Sequence, residues 1–99
     1  MRPICLAQLD KSRPVLVLTR AIVRPYLSRV TVAPITTTIR GLSTEVPVGA
    51  ANGLERASVI ACDNIITVPA DTIGRQIGVL LPTQEAALTE AIRLAFDLD

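Results

Sequence analysis

The chain predicts a small, mainly β domain of the α+β class, with short strands first and one helix at the C-terminus. Three observations carry this. Between Ile4 and Leu81, short runs rich in Val, Ile and Leu alternate with Pro, Gly, Asp, Asn and Ser, the punctuation of strands and turns. After Pro82 the residues become good helix formers, and Leu88, Ala91, Ile92, Ala95 and Phe96 recur at helical spacing. Finally, one Tyr, one Phe and no Trp in a chain that is 49% hydrophobic leave the core to Val, Ile, Leu and Ala.

The elements follow in order. Ile4 to Leu9 alternates weakly and stops at the polar turn Asp10-Lys11-Ser12. Pro14 to Thr19 is β-branched and aliphatic throughout, the pattern of a strand buried on both faces. Arg20 to Leu27 reads as a helical turn broken at Pro25. Arg29 to Ile35 alternates, and its Pro34 sits near the end, where a missing donor matters less. Gly41 marks a turn, Ser43 to Val48 a short strand and Gly49 to Gly53 a loop. Ser58 to Cys62 is apolar, Asp63-Asn64 interrupts it, and Ile65 to Val68 continues. Arg75 to Leu81 is the last strand. Thr83 reads as the N-cap of a helix over Gln84 to Phe96, with Glu85 in the first turn, where the helix dipole favours an anion.

Composition bounds the chemistry. At 99 residues the expectation is one domain, residues 1–99. Domains of this size often gain stability by oligomerising, and a mean hydropathy of +0.46 fits a lasting partner surface. The net charge of +1 argues against a generic polyanion binder. Nine of the ten basic residues are Arg, which suits phosphate and base edges; a GC-rich genome would give the same bias. With no His, imidazole general acid–base catalysis and Ser-His-Asp or Cys-His mechanisms are excluded. Cys5 and Cys62 form no metal-binding pair and read as buried thiols in a reducing compartment. Neither a metal nor another cofactor is expected. The N-terminus carries no long apolar run, and no stretch reaches the about 18 residues of a membrane helix. The expectation is a soluble, cytoplasmic protein.

Two segments hold the chemistry. Arg13 opens Arg13-Pro14-Val15-Leu16-Val17-Leu18-Thr19, and Thr36 closes Val32-Ala33-Pro34-Ile35-Thr36. Pairing these strands would set a fixed cation beside a hydroxyl, a way to hold a phosphodiester. Read without further context, Arg13 is also a solvated charge at a strand start. Thr36-Thr37-Thr38 is an ordinary β-prone run, and Asp63-Asn64 an ordinary turn.

The order Arg13 to Leu18, Pro34-Ile35-Thr36, Ser58-Val59-Ile60-Ala61-Cys62-Asp63-Asn64-Ile65 and then the helix Thr83 to Phe96 resembles the MazF/PemK family of type II toxin–antitoxin toxins along almost the whole chain. The resemblance implies a small SH3-like barrel, a homodimer and inhibition by a cognate antitoxin. It also implies metal-independent cleavage of single-stranded RNA by attack of the ribose 2′-OH on its own phosphate. That route suits a chain without metal ligands, because the substrate supplies its own nucleophile. Arg13 and Thr36 are then the catalytic residues. Lys11, Ser12, Arg13, Thr36, Thr37, Ser58, Asp63 and Asn64 are the RNA-contacting set, with Asp63 and Asn64 able to read base edges. One departure stands out. The family usually has a longer Gly- and Pro-containing loop between the first two strands, and here only Asp10-Lys11-Ser12 separates them. Arg20, Arg24, Arg29 and Arg40 remain open between phosphate contacts, antitoxin contacts and solvated charges. A gyrase poison of the CcdB type is an alternative, although Phe96-Asp97-Leu98-Asp99 is not the chain ending associated with those toxins. A non-catalytic RNA- or antitoxin-binding module is another.

Overall fold

The computed structural model describes residues Met1–Asp99. Seven strands form one curled antiparallel sheet: β1 (Pro3–Gln8), β2 (Ser12–Val17), β3 (Arg29–Thr36), β4 (Glu45–Val48), β5 (Ser58–Ala61), β6 (Ile66–Pro69) and β7 (Ile73–Val79). The path runs β4-β5-β3-β2-β1-β7, and β6 pairs with β3. A single helix, α1 (Glu85–Ala95), follows. No helix is long and apolar enough to cross a membrane.

β2 alternates between two cores. Leu16 faces one cluster with Ile4, Ile35, Ile60, Leu80, Leu88 and Ala91, which lies under α1. Val15 and Val17 face a second with Cys5, Ala7, Val30, Val32 and Val68. This is the two-sided burial that the unbroken aliphatic run predicts. β3 is the strand that changes partners. Arg29 to Val32 pair with β6, whereas Ile35 and Thr36 pair with β5. Pro34, which has no N–H to donate, falls where neither partner is bonded on that side.

β4 and β7, at the two ends of the sheet path, share no ladder. The gap is bridged by a 3-10 turn, Ala50–Asn52, set against the end of β7. Gly53 has a left-handed φ of 83°. A β-carbon on Gly53 would collide with the Ile77 carbonyl, and one on Gly78 with the Asn52 carbonyl. Two glycines therefore let two backbones cross in contact. Asn52 is 1% exposed. It donates to the Val79 carbonyl (3.0 Å) and to Gln84 Oε1 (2.6 Å), and it accepts from Gly49 N–H (3.0 Å) and from Gln84 Nε2 (3.3 Å). Every polar atom of that buried amide is satisfied.

The same network moves the helix start. Thr83 is not the N-cap: Pro82–Gln84 forms a 3-10 turn, α1 begins at Glu85, and no side chain caps it. The Gln84 amide instead turns back to accept from Leu81 N–H at 2.9 Å. At the other end the helix stops at Ala95, and Phe96 is 54% exposed instead of joining the buried face. Asp97 takes a left-handed φ of 55°. Leu98 N–H bonds the Arg93 carbonyl and Asp97 N–H the Leu94 carbonyl, a Schellman ending that turns the chain away before Phe96 can pack.

Four further elements differ from expectation. β2 begins at Ser12, because the hairpin pairs Gln8 with Ser12 and Ala7 with Arg13. β7 runs Ile73–Val79, drawn earlier by the pairing of Ile73 with Ala7. The strand expected from Ser43 begins at Glu45, whose carboxylate accepts from the N–H groups of Arg40 and Leu42 (both 3.1 Å) and holds the preceding residues in a turn. The helical turn expected in 20–27 is a 3-10 turn at Arg24–Tyr26, with Pro25 inside its first turn, where its missing N–H is not needed.

Replacing Asn52 by Ala orphans the Val79 carbonyl and the Gln84 amide at once. The expected loss is about 1–3 kcal/mol, read as a fall in the urea midpoint. A destabilisation of the same order is expected for Gly78→Ala, with neither effect if the crossing is absent.

Candidate functional site

A cavity of about 500 Å³ opens beside the β1–β2 hairpin and is lined by Asp10, Arg13, Pro34, Thr36, Thr38, Arg40, Thr44, Glu45, Asp63 and Asn64, among others. The sheet register creates it. β2 and β3 pair Val15 with Pro34 and Leu16 with Ala33. Extended by two residues, that register sets Arg13 opposite Thr36. Asp63 and Asn64 arrive from the 3-10 turn Cys62–Asn64, directly after β5, which pairs with Thr36 through Val59.

Arg13 is held by the hairpin itself. Its Nε donates to Asp10 Oδ1 at 3.0 Å and its Nη2 to Asp10 Oδ2 at 3.2 Å. This is a parallel fork on a carboxylate, a geometry that fixes orientation as well as distance. Asp10 Oδ1 also accepts from Lys11 N–H at 3.0 Å. The Arg13 bond, followed by the Lys11 N–H, lowers the Asp10 carboxyl to about 2. The reciprocal bond raises the Arg13 pKa. Two of the five guanidinium N–H groups are used, and three remain for a ligand.

Thr36 Oγ1 accepts from Thr38 N–H at 3.1 Å, which leaves its own proton free to donate. Thr44 Oγ1 donates to Asp63 Oδ2 at 2.6 Å, occupying one carboxylate oxygen. The Asn64 side chain makes no hydrogen bond within the chain and is exposed. The cavity thus holds two cations, Arg13 and Arg40, against three carboxylates, Asp10, Glu45 and Asp63. Its charge is organised in pairs and turns, with no net positive field.

Of the residues expected from sequence, Arg13, Thr36, Asp63 and Asn64 line this one cavity. Lys11 and Ser12 are exposed on the hairpin turn beside it. Thr37 and Ser58 line a different cavity, on the other face of the strands, with Leu54, Arg56 and Arg75. Ser58 is 5% exposed, and its hydroxyl is donated to the Arg56 carbonyl at 3.0 Å. Strand alternation is the reason for both: consecutive residues point to opposite faces. Sequence reading missed Asp10, taken only as a turn former, and Thr44 and Glu45. The signal for Asp10 was its place three residues before Arg13 across a tight turn. Cys5 and Cys62 are free and lie in separate clusters. Burial raises both thiols, Cys62 to about 11 with help from the neighbouring Asp63 charge.

A family model described as the PemK-like, MazF-like toxin of type II toxin–antitoxin systems matches residues 5–96. Endoribonuclease MazF3 of Mycobacterium tuberculosis is 68% identical over 99 residues, covering 100% of this chain and 96% of that one. The solved structure of the Mycobacterium tuberculosis toxin MazF-mt6 matches with a TM-score of 0.97 at 67% identity, covering 99% of each chain. A mycobacterial endoribonuclease solved in complex with its cognate antitoxin shares the fold, with a TM-score of 0.87 at 24% identity, covering 98% of this chain and 93% of that one.

Because the Asp10 pKa is depressed in the folded chain, its pair with Arg13 is complete above the ordinary value of 3.8 and is lost as pH falls through about 2. Carboxyl carbon NMR should place the Asp10 midpoint near 2, and Arg13→Ala should return it toward 3.8. A wild-type midpoint at 3.8 would mean that the fork does not form. The raised thiols should also resist iodoacetamide at neutral pH until the chain is unfolded.

Proposed function

The chain belongs to the PemK-like, MazF-like toxins of type II toxin–antitoxin systems, and from that premise we propose a metal-independent endoribonuclease that cuts single-stranded RNA at a short sequence. The supporting observation is the register that opposes Arg13 and Thr36 on one cavity wall, with Asp10 holding the guanidinium in a fork.

The reaction needs alignment and charge stabilisation more than a protein nucleophile. The 2′ oxygen of the ribose forms a bond to the adjacent phosphorus, and the P–O5′ bond breaks. The 2′-OH proton leaves to solvent and the departing 5′ oxygen gains one. The products are a 2′,3′-cyclic phosphate and a 5′-OH. Negative charge grows on the nonbridging oxygens, and the three free N–H groups of Arg13 meet it there. Arg stays protonated in proteins, and the Asp10 fork raises the Arg13 pKa further, which supports charge stabilisation over proton transfer as its role. Thr36 donates its free hydroxyl proton to the same phosphate. Asp63, with one oxygen held by Thr44, accepts from base amino groups, and the uncommitted Asn64 amide pairs with a base edge. Lys11 and Ser12 contact the backbone beside the turn. Thr37 and Ser58 take no direct part on this geometry. The short turn Asp10-Lys11 leaves the groove open where the family's longer loop would lie.

By the same reading the protein is cytoplasmic, acts as a homodimer and is inhibited by a cognate antitoxin. The exposed apolar side chains Ile39, Leu42, Leu94, Phe96 and Leu98 are the candidates for covered surface.

The test is cleavage of a long mixed-sequence RNA in EDTA, with the ends mapped. Cuts at one short motif with 5′-OH ends are expected. Arg13→Ala should lower kcat by about 10²–10³-fold, the scale of a lost transition-state donor. Thr36→Ala should lower it by about 10–100-fold, as for a hydrogen bond to a charged group. Asp10→Asn should cost less than Arg13→Ala. A folded dimer that cuts nothing would shift the reading to a gyrase poison or a binding module.

A further inference from the structure

The arginines after β2 do not belong to the cleavage cavity. Arg20 and Arg24 line a separate cavity of 380 Å³ together with Arg2, Val17 and Glu85. Arg2 is already committed. Its Nε meets both Glu85 oxygens (3.2 and 3.1 Å), and its Nη1 donates to the Leu18 carbonyl at 3.2 Å. Glu85 is the one carboxylate lining the cavity. Arg20 and Arg24 form no ion pair and make no side-chain hydrogen bond within the chain. Three arginines against one carboxylate leave an excess of two positive side-chain charges here, more than the +1 of the whole chain.

Arg24 is only half-buried. Its Nε is buried without a partner, so part of its guanidinium has lost water and gained nothing in exchange. An anion on the outer face of that group would offset the cost. Two residues on, in the same 3-10 turn, Tyr26 is 86% exposed. It is the only Tyr in the chain. A guanidinium followed by an open aromatic face is how single strands are held without sequence reading: the cation takes a phosphate and the ring takes a base. The cavity also lies along the same strand as the cleavage cavity. Arg13 and Val17 point to one face of β2, about 14 Å apart at the usual rise per residue.

We propose that Arg20, Arg24 and Tyr26 form an exosite for the phosphate backbone of single-stranded RNA outside the cleaved motif. Arg2 and Glu85 act as the fixed wall behind it. The inference rests on the proposed ribonuclease reading. RNA already held at Arg13 reaches the second site as an intramolecular step, so a weak contact raises the affinity for long substrates.

The test compares two substrates with wild type, Arg20→Ala/Arg24→Ala and Tyr26→Ala, each checked for folding by circular dichroism. One is an oligonucleotide trimmed to the mapped motif. The other carries the same motif within long unstructured flanks. On the trimmed substrate, kcat/KM should be unchanged in both variants. On the flanked substrate, the double variant should raise KM about tenfold with kcat unchanged, and the log–log salt slope of binding should fall by about 1.4, the value for two phosphate contacts on a single strand. Equal losses on both substrates, or no loss on the flanked one, would overturn the exosite. So would variants that lose only inhibition by an acidic antitoxin peptide, since the surface would then serve a protein. If wild type cuts no RNA and yields no motif to map, the ribonuclease reading fails by itself. Fluorescence anisotropy with one short and one long unstructured single-stranded RNA then decides the exosite: tighter binding of the long RNA that is lost on removing Arg20 and Arg24 supports it, and equal binding overturns it.

Discussion

The site depends on one strand serving two sets of neighbours. β3 bonds β2 along one edge. On its other edge it gives Arg29 to Val32 to β6, and then Ile35 and Thr36 to β5. Pro34 sits at the change, where its missing N–H leaves no ladder incomplete. The change of partner brings the end of β5, with Asp63 and Asn64, to the same wall that the β2–β3 register has already supplied with Arg13 and Thr36. Shifting that register by one residue would turn Thr36 to the opposite face and Thr37 toward Arg13. Burial of Val15, Val17 and Val32 on one face and of Leu16 and Ala33 on the other forbids the shift.

The open end of the sheet is managed by contact instead of pairing. Gly53 and Gly78 allow the turn after β4 to lie directly on β7. Asn52 then ties that turn to the Val79 carbonyl and to Gln84. Since Gln84 immediately precedes α1, the closure also fixes where the helix begins. Glu85, the first helical residue, is thereby placed against Arg2. One amide pair, buried Asn52 with half-buried Gln84, thus connects the end of the sheet, the start of the helix and the wall of the Arg20–Arg24 cavity.

Much of this was legible in the sequence, and the failures share a cause. The strands announced themselves by composition, and β2 by an aliphatic run that only a two-sided burial explains. The meeting of Arg13 and Thr36 on one wall was readable because a strand end is a local feature and the motif order set their relation. What could not be read was anything set by a distant partner. Thr83 had the residue type of an N-cap, but the helix start is decided by Asn52, some thirty positions away. Ser58 belonged to the right motif, yet strand alternation and the Arg56 carbonyl remove its hydroxyl from the site. Phe96 kept the helical spacing, but the Schellman ending stopped the helix before it. Asp10 was misjudged for the opposite reason: turn chemistry alone explained it, so its second role was invisible until Arg13 was seen in its fork.

The electrostatics divide the labour of the molecule. On the proposed mechanism the cavity beside the hairpin would need donors fixed before charge appears on the phosphate, and fixing an Arg costs conformational freedom. Asp10 supplies that restraint, at the expense of partly neutralising the cation it aims. With Glu45 and Asp63 also present, the cleavage cavity has more carboxylates than cations and is poorly suited to attract a polyanion by its field. Preorganisation and attraction therefore compete within one small cavity. The chain separates them in space. The excess positive charge lies at the other end of β2, where Arg20 and Arg24 have no partners. On the proposed exosite that charge would raise local affinity without weakening the Arg13 fork, and nothing at that end need be aligned with a reacting bond.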